Sequence, residues 1–333
     1  MGRIMVRMSR SNNISSASFE FLVAQAVKAP SGHNTQPWKF RQNESAVEIY
    51  PDFDRRLPVV DPDDRELFVS LGCATENLCL AAQNIGYESS VAVGDTGVIA
   101  VTLTEEMDIK SNPLFEQIDL RQTNRSIYTG EEIALDALKR LQAIRSEDGV
   151  SVHYYARQTK QFNDIEQYVL QGNTRQMQNE AFKAELKSWM RFNKKHQDQT
   201  LDGLSYAVFG APNVPRWMAE PIMSMAINAK TQNKADREKI DSASHLVLFT
   251  TRENSRREWV SLGRTLQRFL LTTTELGVAH AYLNQPNEEA EIASEMARTL
   301  GLTGEYPTIL LRIGYGERQA YSKRRAVKDV RSL

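Results

Sequence analysis

The sequence predicts an α+β protein built from two related halves, and three observations support this prediction. Segments with helical and with strand periodicity are mixed, without the serial strand–helix–strand order that a parallel sheet requires. Two segments far apart in the chain resemble each other. Hydrophobic residues make up 41% and charged residues 25% of the 333 residues, which is ordinary for a globular chain and unlike a disordered one.

The internal repeat is the firmest of these observations. Leu71–Tyr87 has the sequence LGCATENLCLAAQNIGY, and Leu262–Val278 has the sequence LGRTLQRFLLTTTELGV. Aligned without gaps, the two share these pairs: Leu71/Leu262, Gly72/Gly263, Leu80/Leu271 and Gly86/Gly277. Each predicts a helix of about fourteen residues with a glycine entering and a glycine leaving. Unrelated amphipathic helices often share leucines, but two glycines at the same separation favour a duplication.

Other segments fit the same two-half plan. Helical patterns at Phe19–Ala29 and Leu135–Ile144 each precede a repeated helix, and alternating strand patterns follow them at Ala46–Tyr50 and Val150–Tyr155. Further strand patterns occur at Ser90–Leu103, His245–Thr250 and Thr308–Ile313. We therefore expect a mainly antiparallel sheet flanked by helices in each half.

The predicted organisation has four parts. Residues 1–17 contain arginines but no following apolar run, so they are predicted to be a flexible leader rather than a secretory signal. The first half spans 18–112 and the second 113–333, with the boundary near Ser111-Asn112-Pro113. The second half contains an insertion at 161–235, mostly helical and polar, with breaks at Gly203, Gly210, Pro212 and Pro215. Such an insertion is either a cover over a site or a surface helical hairpin.

Composition excludes several function classes. The net charge of -1 gives no electrostatic basis for binding nucleic acid or an anionic membrane. No stretch approaches the ~18 apolar residues of a membrane span. Cys73 and Cys79 lie on different faces of a predicted helix, which argues against a disulfide or a metal site and favours a cytoplasmic protein. Dinucleotide, phosphate-loop, zinc and serine-hydrolase motifs are absent from the sequence.

Two segments carry candidate chemistry. In Ala29–Trp38, Pro30 stops a helix, Gly32 frees the backbone and a polar run supplies donors; a capped helix-to-strand loop is the alternative. In Arg121–Arg125, two arginines flank a hydroxyl close to a helix start, which suits a phosphate and a polarised ring edge. Taken alone, this second segment favours a solvated basic turn.

Together these segments resemble the nitroreductase superfamily, and most closely its single-chain, Acg-like, FMN-binding branch. Pro30–Trp38 resembles the family motif P-S-x-x-N-x-Q-P-W, and Arg121–Arg125 resembles the branch's R-x-T-N-R form. Leu283–Pro286 resembles the loop under the flavin ring, and Ile309–Gly316 with Lys323–Arg325 resembles the closing strand and basic tail. The resemblance covers roughly residues 19 to 330 and implies a nitroreductase-like fold whose halves form an intrachain pseudo-dimer.

The resemblance also implies an FMN site. Arg121 and Thr123 would bind the phosphate together with Lys323 and Arg325, Arg125 would face the pyrimidine edge, and Asn284 would lie near N5. The family's second basic ring contact aligns loosely on Lys239. The whole implied set is Pro30, Ser31, Gly32, His33, Asn34, Gln36, Arg121, Thr123, Asn124, Arg125, Leu283, Asn284, Gln285, Lys323 and Arg325.

Each half retains only one part of the family's site. The first half has the Pro30–Trp38 loop but nothing like R-x-T-N-R, whereas the second half has Arg121–Arg125 but Ser146–Gly149 where its loop would stand. One flavin per chain and a functional monomer follow from this complementarity.

The implied function is that of an FMN-dependent oxidoreductase. It would move electrons from NADPH or NADH to a nitroaromatic, quinone or similar small-molecule acceptor, and it would need no catalytic side chain because the chemistry takes place at flavin N5. The alternative is an FMN-binding or flavin-storing protein whose cover blocks nicotinamide turnover; a protein that consumes its own flavin with oxygen is a more remote option. Side chains of the insertion that could fill the substrate side, or simply pack between helices, are Trp189, Arg191, Arg216 and Trp217.

Overall fold

The structure is a computed structural model that describes residues 13–106, 108–225 and 227–332. Residues 1–12 of the predicted leader lie outside the described part. The rest of that segment belongs to the fold, because Ile14 is buried and the first helix begins at Ser16. The Ser15 hydroxyl caps this helix by accepting a hydrogen bond from the Ser18 amide. Within the described residues, no helix combines the length and apolarity needed to cross a membrane.

The first half forms one antiparallel sheet with strand order β1-β2-β4-β3. Its elements are α1 (Ser16–Ala26), β1 (Trp38–Asn43), β2 (Ala46–Pro51), α2 (Arg65–Asn84), β3 (Tyr87–Val93) and β4 (Ile99–Glu105). The predicted strand pattern at Ser90–Leu103 is split between β3 and β4. A turn closed by a hydrogen bond from the Gly97 amide to the Gly94 carbonyl separates them, and Gly97 has a φ of 85°.

The second half forms a second four-stranded antiparallel sheet, with order β5-β8-β10-β9. An insertion of helices and two short strands separates β5 from β8, so this half is helical between its first two sheet strands. The elements of this half are α3 (Leu135–Gln142), β5 (Val150–Ala156), α4 (Lys160–Gln178), α5 (Glu180–Ser188), β6 (Met190–Arg191), α6 (Lys194–Thr200), β7 (Leu204–Ser205), α7 (Arg216–Met225), α8 (Ala229–Asp241), β8 (His245–Thr251), α9 (Arg256–Glu275), β9 (Ala279–Tyr282), α10 (Ala290–Leu300), β10 (Tyr306–Gly314) and α11 (Val327–Val330).

The repeated segments meet where α2 crosses α9. A Cβ atom on Gly72 would lie 2.2 Å from the Val260 carbonyl oxygen and 2.9 Å from the Gly263 Cα. A Cβ atom on Gly263 would lie 2.1 Å from the Val69 carbonyl oxygen and 2.9 Å from the Gly72 Cα. These reciprocal contacts relate the halves by a local pseudo-twofold, which confirms the intrachain pseudo-dimer.

The prediction that these glycines enter short helices is wrong. Both α2 and α9 have 20 residues, so Gly72 and Gly263 lie inside the helices, where the close crossing of two backbones requires the absence of a side chain. The exit glycines behave as predicted, since Gly86 and Gly277 adopt φ values of 86° and 68° just beyond the helix ends.

One hydrophobic core runs through both halves. It includes Phe40 from the first sheet and Phe249 from the second, together with most of the inward faces of α2 and α9. The polar contacts between these helices are also buried: the Glu76 carboxylate accepts hydrogen bonds from Arg264 and Arg268, and Gln267 donates to Asn77. The halves therefore share their core.

The C-terminal tail returns from the second half to the first. Arg331 forms a parallel bridge with Phe40, and the Ser332 amide donates to the Phe40 carbonyl at 2.8 Å. The buried side chain of Val330 anchors this return. As a result, the basic segment 323–325 passes over the loop that precedes β1.

Candidate functional site

A cavity of about 550 Å³ lies where the two halves and the insertion meet. This size is in the range of small-molecule and cofactor sites. The predicted site residues that line it are Pro30, Ser31, Gly32, His33, Asn34, Arg121, Thr123, Arg125, Asn284 and Gln285. Those that do not line it are Gln36, Asn124, Leu283, Lys323 and Arg325.

The loop that precedes β1 has an unusual backbone. His33, Asn34 and Gln36 adopt φ values of 47°, 56° and 53°, in a region that costs a non-glycine residue about 1–3 kcal/mol. Side-chain hydrogen bonds hold this shape: Asn34 Nδ2 donates to the Gly203 and Lys323 carbonyls, and Gln36 Nε2 donates to the Leu201 carbonyl at 2.9 Å. The insertion and the tail thus fix the loop. Gln36 contributes from behind the cavity wall rather than from its surface.

Two arginines, the buried Arg121 and the half-buried Arg324, form one end of the cavity. Arg121 is 5% exposed, and its Nε and Nη1 have no hydrogen-bond partner among the described residues. Arg324 also lines the cavity and donates to Asn34 Oδ1 at 2.9 Å, while its Nε has no partner in the described part. Burial, followed by the charge of Arg121, lowers the pKa of Arg324 to about 9. Neither arginine forms an ion pair with a described carboxylate, so this end of the cavity is built to receive an anion.

The basic tail contributes a different residue from those predicted. Lys323 is half-exposed, with its Nζ 3.9 Å from Asp198, and the Arg325 Nη1 lies 3.8 Å from Asp52. The side chains of Lys323 and Arg325 are directed away from the cavity, because each has an acidic partner outside it. Only Arg324 of the three lines the cavity, so the assignment of the phosphate contacts to Lys323 and Arg325 is not supported by their placement.

Four residues of the Arg121–Arg125 segment line the cavity, and only Asn124 does not. Thr123 and Arg125 line the cavity, and the Arg125 guanidinium lies over the Phe209 ring at 5.9 Å. Burial is the main cause of the lowered pKa of Arg125. Asn124 is turned away: its Nδ2 donates to the Glu317 carbonyl at 2.7 Å, and its Oδ1 accepts from the Ser126 amide. Asn124 therefore shapes the segment from behind.

His33 lines the cavity as a neutral group. Burial lowers its pKa to about 4, and the charge of Arg125 adds to this effect. Its Nε2 is buried and has no partner among the described residues. At neutral pH the imidazole offers a hydrogen-bonding ring edge without charge.

The loop after β9 forms another wall. Asn284 Oδ1 accepts from the Leu310 amide, its Nδ2 donates to Glu66, and Gln285 Nε2 donates to Asp236 at 3.2 Å. Helix α4 packs directly on this loop, since a Cβ atom on Gly172 would lie 2.8 Å from the Gln285 carbonyl carbon. Leu283 points into a hydrophobic cluster beside β8 and β10 and does not face the cavity.

Residues of the insertion form part of the cavity wall, a placement that fits the predicted cover. Its lining side chains are mostly apolar: Met177, Phe182, Leu186, Met190, Leu204, Phe209, Ile222 and Ile227. Phe182 and Leu186 are four residues apart on α5, and this helical spacing is the one sequence signal that could have indicated them.

The aromatic and basic residues proposed for the substrate side do not line the cavity. Arg191 forms a buried ion pair with Asp202 at 2.7 Å and lies 5.6 Å from the Trp189 ring. Arg216 pairs with Glu220, and Trp217 is 75% exposed. These side chains hold the insertion together or face outward.

Comparison with known proteins identifies the family. A model described as the Nitroreductase family matches residues 118–315, which is more than half of the chain. The chain belongs to the nitroreductase family. This family match covers the second half, including Arg121–Arg125, whereas the Pro30–Trp38 loop lies outside it.

Other members of the nitroreductase family are similar over most of the chain. Two Mycobacterium tuberculosis proteins, from strains CDC 1551/Oshkosh and H37Rv, each carry the name "putative NAD(P)H nitroreductase". Each is 26% identical over 309 residues, which cover 87% of this chain and 83% of the relative.

Solved structures of the nitroreductase family also match. The FMN and NADPH-dependent nitroreductase NfnB from Sphingopyxis sp. strain HMH has a TM-score of 0.43 and 14% identity, over 67% of this chain and 99% of that one. NfnB from Mycobacterium smegmatis, in complex with NADPH, has a TM-score of 0.40 and 14% identity, over 65% and 90%.

Proposed function

We propose that this chain is an FMN-dependent oxidoreductase that moves electrons from NADPH or NADH to a nitroaromatic, quinone or similar acceptor. The observation that carries the proposal is the pair of arginines at one end of the cavity, the buried Arg121 and the half-buried Arg324, neither of which forms an ion pair with a described carboxylate. Membership of the nitroreductase family and the names of the mycobacterial relatives support it.

The cavity residues fit FMN. Arg121 and Arg324, with the Thr123 hydroxyl, would hold the phosphate, since a guanidinium donates paired hydrogen bonds to such a group. Arg125 would lie at the polar edge of the ring and Asn284 on its other side. When bound, FMN supplies two-electron hydride chemistry, while the protein binds, orients and tunes it.

The apolar cover favours a particular class of acceptor. Phe182, Leu186 and Ile222 would contact whatever enters beside the flavin, and they offer no charged group to it. A planar, largely apolar molecule such as a quinone or nitroaromatic gains from burial against such a wall.

Flavin stoichiometry tests the proposal. We expect one noncovalently bound FMN per chain, measured as flavin absorbance against protein concentration after reconstitution. We expect a single flavin site because Arg121, Arg324 and the loop that precedes β1 all line the same cavity. Two flavins per chain would contradict the complementary halves, and FAD or no flavin would contradict the cofactor.

A second candidate function is flavin binding without nicotinamide turnover. It is favoured by the cover itself, since α4, α5 and α7 all contribute to the cavity wall. Anaerobic stopped-flow mixing with NADPH and with NADH separates the two functions. Bleaching of the flavin by dithionite but by neither nicotinamide would favour storage, and rapid bleaching by either one would favour the oxidoreductase.

We also propose that the protein works as a monomer. At the Gly72–Gly263 crossing, the two halves of one chain pack against each other. In a protein whose site spans two chains, the corresponding contact would have to form between subunits. Light scattering of FMN-loaded protein across a dilution series should give a mass near 37.8 kDa. A dimer mass that falls only as flavin is lost would contradict this proposal.

A further inference from the structure

Two glutamates that the sequence analysis did not single out face the cavity together. Glu66 comes from the first turn of α2 in the first half, and Glu288 comes from the loop after β9 in the second. Neither forms an ion pair with a described lysine or arginine. They share the cavity with Arg121, whose guanidinium is buried and lacks partners at two nitrogens.

The two carboxyl groups lie within hydrogen-bonding reach of each other, and each affects the pKa of the other. Ionised carboxylates offer only acceptor atoms, so this contact requires a proton on one of them. Amide donors hold one oxygen of each group: Asn284 Nδ2 donates to Glu66 Oε1, and Gln176 Nε2 donates to Glu288 Oε2. The other oxygen of each carboxyl group accepts no hydrogen bond from a described amide.

The surroundings of the pair keep one of the two carboxyl groups protonated near neutral pH. Burial first, and then the charge of Glu288, raises the pKa of Glu66 to about 8; burial raises that of Glu288 to about 7. Asp61 and Tyr282 also face this region, and Arg65 is the nearby cation that opposes the shift. Because the two sites are coupled, the pair as a unit holds one proton at pH 7.

The pKa values of other titratable groups of the cavity lie far from neutral pH. His33 has already lost its second proton well below neutral pH. Burial raises the pKa of both Cys73 and Tyr282 far above neutral. A group with a pKa near the working pH is best suited to donate a proton and take it back.

We propose that Glu66 and Glu288 form a shared-proton pair that protonates the acceptor as it is reduced in this cavity. The inference rests on the proposed function. Two-electron reduction of a quinone would transfer a hydride from the reduced flavin of the proposed function, which is oxidised, and leave one quinone oxygen negative. A proton would then complete the hydroquinone. The carboxyl O–H bond breaks as the new O–H bond forms on the acceptor, and water returns a proton to the pair afterwards.

The test uses Glu288→Gln and Glu66→Gln, which keep size and hydrogen bonding but remove the transferable proton. Glu289→Gln is the matched control, because Glu289 is the next residue, lies outside the cavity lining and is 3.8 Å from Arg175. The first readout is infrared difference spectroscopy of the protein as isolated. We expect a carbonyl band of protonated carboxylic acid to be lost between about pH 6 and pH 9 in wild type and control. In either pair variant this loss should be clearly smaller, because Asp61 still titrates but the shared proton is gone.

The second readout is single-turnover reoxidation of pre-reduced, FMN-loaded protein by 1,4-benzoquinone. In the wild type and control, the rate constant should fall about tenfold per pH unit above the titration of the pair. In either pair variant it should be at least about tenfold lower near pH 6.5 and independent of pH over that range.

The outcomes separate the inference from the function on which it rests. If reoxidation by quinone is fast but its pH profile is the same in the wild type and both pair variants, the inference is overturned and the oxidoreductase stands. A loss of the carbonyl band that is equally large in the wild type and both pair variants, or no loss in the wild type, also overturns it. A protein that takes up no FMN refutes the proposed function, and the infrared titration then decides the shared proton alone.

Discussion

The same position in the two halves has taken opposite roles. In the first half, the loop before β1 faces the cavity, and His33 and Asn34 adopt left-handed backbone conformations there. In the second half, residues 146–149 stand before β5 at the corresponding place and contribute nothing to the cavity. The comparison shows what each half gains from its version of the loop.

The second-half version stabilises the helix crossing. Glu147 forms ion pairs with Arg264 and Arg268, and its amide donates to the Thr265 hydroxyl at 3.0 Å. Gly149 has a φ of 80° and lies against the Glu258 carboxylate. Here the positive φ falls on a glycine, which adopts it without strain.

The first-half version instead keeps strain and unsatisfied groups. Its positive φ values fall on residues with side chains, and His33 Nε2 has no partner among the described residues. Backbone strain of this kind persists only where the surrounding contacts hold the residue in place, and strained residues cluster at ligand sites. One loop is therefore shaped for binding and the other for stability.

The largest expected effect is on flavin binding. Arg121→Ala removes charge-assisted hydrogen bonds worth on the order of 1.5–3 kcal/mol each. Two such bonds predict a Kd for FMN about 100-fold higher or more, measured by quenching of flavin fluorescence. Lys239→Ala is the control: Lys239 pairs with Asp236 at 3.4 Å, does not line the cavity, and should change the Kd little.

Equal dissociation constants for these two variants would contradict the proposal that Arg121 binds the FMN phosphate. The neighbouring tail residues sharpen the same test. Arg324→Ala should weaken FMN binding, whereas Lys323→Ala should not, because only Arg324 lines the cavity.

The second prediction concerns stability in the other loop. Gly149→Ala should lower the free energy of unfolding by about 1–2 kcal/mol, because alanine at positive φ is strained and its Cβ would meet Glu258 Oε1 at 2.3 Å. The Kd for FMN of the folded variant should stay unchanged. Urea unfolding and a flavin titration measure the two quantities.

Gly94→Ala provides the control for that substitution. Its φ is not positive, and the nearest atom to a Cβ there is the Val98 carbonyl oxygen at 3.5 Å, so a near-neutral change is expected. A Gly149→Ala protein with an unchanged free energy of unfolding but weaker FMN binding would contradict the conclusion that one loop serves binding and the other serves stability.

The third prediction concerns the pH dependence of stability. The pKa values of Asp61, at about 7, and of Glu66 and Glu288 are raised in the folded state, so the folded protein binds more protons than the unfolded chain above about pH 4. Their contribution is complete below that pH and is lost as pH rises to about 8. Each excess proton lowers the free energy of unfolding by about 1.4 kcal/mol per pH unit.

Glu147 should act in the opposite direction. Burial opposes its ionisation, but hydrogen bonds and charges of Arg268 and Arg264 outweigh burial and lower its pKa. Its contribution is therefore present above the unfolded pKa and lost as pH falls. Urea unfolding of flavin-free protein should show Glu288→Gln reducing the decline towards pH 8, with Glu147→Gln affecting only the acid side; the reverse pattern would contradict the assigned shifts.

The sequence by itself determined the α+β class, the two halves and the two motif segments that line the cavity. These properties are local: alternating polarity predicts a strand, and Pro30–Trp38 and Arg121–Arg125 keep their motifs in contiguous residues. The family match confirms the nitroreductase resemblance. The strands His245–Thr251 and Tyr306–Gly314 lie where their apolar alternation and runs predicted them.

Only the tertiary structure decided which side chains meet. Gly72 and Gly263 lie inside long helices because two backbones cross there, and no pattern within either helix records that contact. Glu66 and Glu288 come together from opposite halves of the chain, and Arg324 rather than its neighbours faces the cavity because the tail crosses the loop at one angle. Contacts between distant residues depend on how elements pack, and local periodicity carries no information about that packing.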